Sequence, residues 1–88
     1  MRNHFVSVEL HDVERNEARF YAQLILLCPK VSRAMTRMFV AEYDGTSEEL
    51  RDALQKTLGT KDRLMIIGPD MWASCNLVRD ALPMLLDQ

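Results

Sequence analysis

Glycine, proline and cysteine are scarce in this sequence. Three glycines and three prolines in 88 residues leave no linker, no low-complexity tract and no glycine-rich phosphate loop. The two cysteines, Cys28 and Cys75, stand far apart with no CxxC pair. They suggest neither a zinc site nor a disulfide framework, but two reduced thiols in a cytoplasmic protein. The longest apolar run, Leu24-Ile25-Leu26-Leu27-Cys28, is far too short to span a bilayer. No long apolar stretch follows Arg2 as a signal peptide would require, so no membrane association is expected. A net charge of -2 argues against a general polyanion binder.

What is present is apolar residue, 48% of the chain, ample for a packed interior. The length predicts one domain over residues 1–88, near the low end for a self-sufficient core. Such a composition on so short a chain hints at self-association.

Residues 4–11 alternate, with Val6, Val8 and Leu10 on one side and Phe5, Ser7, Glu9 and His11 on the other. This predicts a strand. His11 to Asn16 reads as a polar connection. From about Glu17, Phe20, Tyr21, Leu24, Ile25, Leu27 and Cys28 recur at helical spacing until Pro29 stops the helix. Residues 31–43 are too long for one strand and predict two antiparallel strands with a break near Thr36. Thr46-Ser47-Glu48-Glu49 has the form of a capping box. The helix it opens carries Leu50, Ala53, Leu54 and Leu58, with Gly59 placed for a left-handed cap. Arg63–Ile67 predicts a strand, Met71–Ser74 a short edge strand. Asn76 or Asp80 could cap a last short helix containing Leu82, Met84, Leu85 and Leu86.

This order predicts an α+β fold: a ferredoxin-like βαββαβ antiparallel sheet with two helices on one face and a short C-terminal strand and helix. The expected core is Val6, Val8, Leu10, Leu24, Val40, Leu54, Leu58 and Ile66. Several strands are apolar on both sides, which predicts that a second copy or the C-terminal segment covers the sheet's other face. A homodimer is therefore expected.

Asp12, after the first strand, is the leading candidate for chemistry. With Glu14 and His11 it could hold a divalent cation such as Mg²⁺ or Mn²⁺. Equally, Asp12 could cap the first helix, with Glu14 and Glu17 complementing its dipole. Lys30, Arg33 and Arg37 cluster around the second strand. They could grip the phosphates of a nucleic acid or serve as solvated, edge-protecting charges. Trp72 reads as a packing residue, and Cys75 has no neighbouring base to make it a nucleophile.

The apolar first strand ending in Asp12-Val13, the Thr46-Ser47-Glu48-Glu49 helix start and the turn Lys61-Asp62-Arg63 into Leu64-Met65-Ile66-Ile67 form one pattern. It resembles the ferredoxin-like small subunit of the CRISPR spacer-acquisition complex and its stand-alone SinR-like relatives. Trp72-Ala73 looks more like the latter. The resemblance implies a homodimer joined through its sheets and, in some members, metal-dependent cleavage of nucleic acid by an aspartate from each subunit. That role would fall on Asp12. The chain departs from the pattern in having His11 before that aspartate, where tyrosine is common, and in a thinned arginine run, Glu14-Arg15 with Arg19. Two functions follow as expectations: a nucleic-acid-associated scaffold or vestigial nuclease, and a non-catalytic protein-interaction or regulatory module.

Overall fold

The computed structural model describes residues 2–69 and 72–76. Five strands and two helices follow in the order β1 (Arg2–Glu9), α1 (Val13–Leu27), β2 (Lys30–Met35), β3 (Met38–Tyr43), α2 (Ser47–Gln55), β4 (Arg63–Ile67) and β5 (Trp72–Cys75). The strands form one antiparallel sheet in the order β2-β3-β1-β4-β5. The architecture is thus α+β, and the expected C-terminal strand extends the sheet beyond β4. The last predicted helix lies outside the described residues.

Alternation decides which way each strand faces. Val6 and Val8 of β1, Phe39 and Ala41 of β3, and Leu64 and Ile66 of β4 are buried on one side. Register makes them neighbours: Val6 stands opposite Phe39 and Ile66, and Val8 opposite Leu64. Phe20 and Leu24 of α1 and Leu50 and Leu54 of α2 join them in one core, so both helices cover this face.

The helices begin where side chains satisfy free amides. Thr46 accepts from the Glu49 amide and Glu49 accepts from the Thr46 amide, the expected capping box. α1 starts at Val13, about a turn earlier than the apolar period predicted. Its first turn has a single apolar residue, exposed Val13, and the side chain it buries is the polar Asn16, so the stripe that marks a helix in sequence is absent there. The Asp12 carboxylate defines the start by accepting from the Arg15 amide at 3.2 Å.

Three further expectations are corrected. Val40 is not in the core: β3 presents Phe39 and Ala41 to the helices, and Val40 faces the other side. Leu10 and Leu58 pack at the core's margin, partly exposed. Gly59 is not a left-handed cap. α2 ends at Gln55, and no described glycine has positive φ. His4 was assigned no role, yet it is buried in an edge-on contact with Tyr43 at 5.9 Å between ring centroids. A Cβ on Gly68 would come within 2.9 Å of the His4 ring and 2.5 Å of the Ser47 hydroxyl, so glycine permits this packing.

Candidate functional site

The end of β1, the start of α1 and the α2–β4 connection meet around an open cleft of about 330 Å³. A buried carboxylate holds these three segments together. Asp62, 1% exposed, accepts the His11 amide on Oδ1 at 2.7 Å. On Oδ2 it accepts the Gly59 amide at 2.7 Å and Asn16 Nδ2 at 3.0 Å. Asn76 adds a further tie, donating from Nδ2 to the carbonyls of Thr60 and Asp62 at 3.1 and 3.2 Å. Burial raises the Asp62 pKa, but the hydrogen bonds from His11, Gly59 and Asn16 outweigh it. The carboxyl is held below its ordinary 3.8.

Asp12 lies on the rim of this cleft, exposed, as the cap of α1. Glu14 is exposed in the first turn, where a negative charge complements the helix dipole. Among the described residues no three His, Cys, Asp or Glu side chains gather closely enough to hold a metal ion.

The predicted phosphate-gripping residues are dispersed. The Arg33 guanidinium lies over the rings of Tyr21 and Phe39, 5.4 and 5.3 Å from their centroids. Arg37 sits in the turn between β2 and β3, close to the expected break, and donates to Glu17 of α1 at 3.1 Å. Glu17 and Tyr21 are one helical turn apart, so both arginines lean on α1. Lys30 lies on the opposite face, where it lines a shallow groove with Asn3, Ser32, Val40 and Glu42.

The cations that do converge are Arg15, Arg19 and Lys61, all exposed and all lining the cleft. Arg15 and Arg19 share a helix face through their spacing of four. Arg19 donates to Asn16 Oδ1 at 2.8 Å, and none of the three is in an ion pair among the described residues. Sequence reasoning missed this group because Lys61 is more than 40 positions from the arginines. The i, i+4 pair of arginines at the first helix was the available signal.

The sheet's uncovered face is the other notable surface. Phe5 and Ile67, both 45% exposed, stand side by side in register. Val40, Met38 and Met65 continue the apolar strip. Polar residues rim it: Asn3, Ser32, Glu42 and the Glu9–Arg63 pair at 3.2 Å.

No family model matches this chain, and the comparisons with curated proteins and solved structures give no significant match. No described helix is long and apolar enough to cross a membrane.

Proposed function

We propose that the chain is a homodimeric, ferredoxin-like scaffold that works by binding rather than by cleavage, its two copies meeting sheet to sheet. The observation that carries this is the strip on the uncovered sheet face, where Phe5 and Ile67 are exposed and half-buried Val40 and Met65 adjoin them in register. Fold topology supports it too. The ferredoxin-like part of the reading draws its support from the antiparallel sheet order β2-β3-β1-β4-β5, with β5 outside β4 and both helices on one face. An apolar centre with a polar rim is the anatomy of a protein interface. A twofold arrangement would place the two strips against each other. Two unpaired thiols accord with a cytoplasmic setting.

Light scattering on the eluting peak at micromolar concentration tests this. Wild type should have twice the 10.2 kDa chain mass. Phe5→Glu combined with Ile67→Glu should elute as a folded monomer, because four carboxylates would then face one another across the interface. A monomeric wild type, or a dimer indifferent to both substitutions, would reject the proposal.

A second reading keeps Asp12 as the carboxylate of a metal-dependent nuclease, Glu14 assisting. It is supported by one detail: the second Asp12 oxygen makes no hydrogen bond among the described residues and sits at the cleft. The donor set would need a second copy to complete it. On this reading Asp12→Asn abolishes Mg²⁺- or Mn²⁺-dependent cleavage of RNA or DNA and leaves the fold intact, since asparagine caps a helix about as well. Cleavage that persists in the variant removes Asp12 from the mechanism. The scaffold reading expects no EDTA-sensitive cleavage by wild type.

A further inference from the structure

We infer that the cleft between the start of α1 and the α2–β4 connection binds a terminal phosphate group, as carried by a nucleotide or by the phosphorylated end of a nucleic acid strand. The inference is independent of how the sheet face is covered.

Charge is the first argument. Arg15, Arg19 and Lys61 line one cleft in a chain whose net charge is -2, so their convergence is not a by-product of a basic composition. None of them is neutralised by an ion pair among the described residues. Two carboxylates of the lining oppose them. Asp62 is buried and its oxygens are committed to three N–H donors, which leaves Asp12 as the one exposed carboxylate of the lining. The cleft thus carries three cations against one exposed carboxylate and one buried one.

Rigidity is the second argument. The Asp62 bonds fix His11, Asn16 and Gly59 relative to one another. Asn16 in turn holds the Arg19 guanidinium. The cations are therefore partly pre-positioned, which reduces the ordering cost of binding. The volume, about 330 Å³, is at the small end for ligand sites and suits a phosphate better than a whole dinucleotide. No phenylalanine, tyrosine or tryptophan is in the lining, and the imidazole of His11 is the single ring there that a base could meet. Recognition would rest on the phosphate.

Amide NMR spectra of the full chain provide the test. Inorganic phosphate and AMP should move the resonances of Arg15, Arg19, Thr60 and Lys61 saturably at millimolar concentration, and adenosine should not. Arg15→Gln with Lys61→Gln should weaken binding at least about tenfold while the rest of the spectrum stays unchanged. Asp12→Asn should tighten it, because the exposed repelling charge is gone. A short oligonucleotide with a 5′-phosphate, set against its 5′-hydroxyl twin and AMP, distinguishes the sources. Preference for the phosphorylated strand assigns a nucleic acid end, preference for AMP a free nucleotide, and either supports the site. Shifts with adenosine equal to those with AMP would overturn the inference. So would phosphate shifts matched by chloride at equal ionic strength, or shifts that survive the double substitution.

Discussion

Asp62 surrenders the hydration of a full negative charge, and three N–H donors take the place of the water. Such a group is strongly coupled to pH. Its folded pKa lies below the ordinary 3.8, so its contribution to stability is complete above that value. The contribution is lost as pH falls from there through the lower folded value. Asp62→Asn should cost roughly 1.5–3 kcal/mol at neutral pH, the range for hydrogen bonds to a charged acceptor. Melting temperatures of both proteins against pH should draw together only as pH falls below 3.8, and converge once it has passed the lower folded value, where wild type protonates as well. A gap that stayed constant into acid would show that the charge is not what matters. In the sequence Asp62 reads as part of a charged turn. Its burial depends on His11 and Asn16, some fifty positions earlier, and no local pattern records that. Asp12 was legible because both of its readings, cap and cation ligand, depend on its immediate neighbourhood. Arg37 is like Asp62 instead: its partner Glu17 stands on another element and could not be inferred from spacing. At the other extreme, burial pushes the Cys28 thiol up to about 11, so it stays protonated at neutral pH and packs as an apolar residue.

At the scale of elements, β3 is the instructive one. Met38-Phe39-Val40-Ala41 is apolar at every position, so alternation alone could not say which pair faces the helices. Pairing decides it. β1 alternates cleanly, and the register of Val6 opposite Phe39 places Phe39 inside and Val40 outside. Phe39→Ala should therefore cost about 3–5 kcal/mol, while Val40→Ala should cost about 1 kcal/mol or less. Urea denaturation of the two variants, carried out where each is monomeric, reads this difference directly. Equal losses would mean that the strand's facing has been misassigned. α2 was legible at its start, since its capping box lies within four consecutive residues, but not at its end, which falls at Gln55, short of Leu58 and Gly59. The early start of α1 was not, because a first turn that buries the polar Asn16 carries no apolar period and only the cap marks it.

For the whole molecule, strand order has a consequence for how the chain comes together. β1 is the first strand to be made and sits at the centre of the sheet, yet both of its neighbours, β3 and β4, are made later. During synthesis the apolar side of β1, Val6 and Val8, must wait for Met38–Tyr43 on one flank and for Arg63–Ile67 on the other. Pairing across such separations carries a loop-closure cost before it gains any contact, and it slows folding compared with a hairpin meander of the same size. In the interval α1 is the nearest element available to shield β1, through Phe20 and Leu24, and its Asp12 cap lets it form from local sequence alone. The edges have their own safeguards: β2 is bulged between Arg33 and Met35 and carries Lys30 and Arg33, while β5 is four residues long. A chain that must hold its central strand open until residue 67 has emerged thus keeps its outermost strands poor templates for a stranger's.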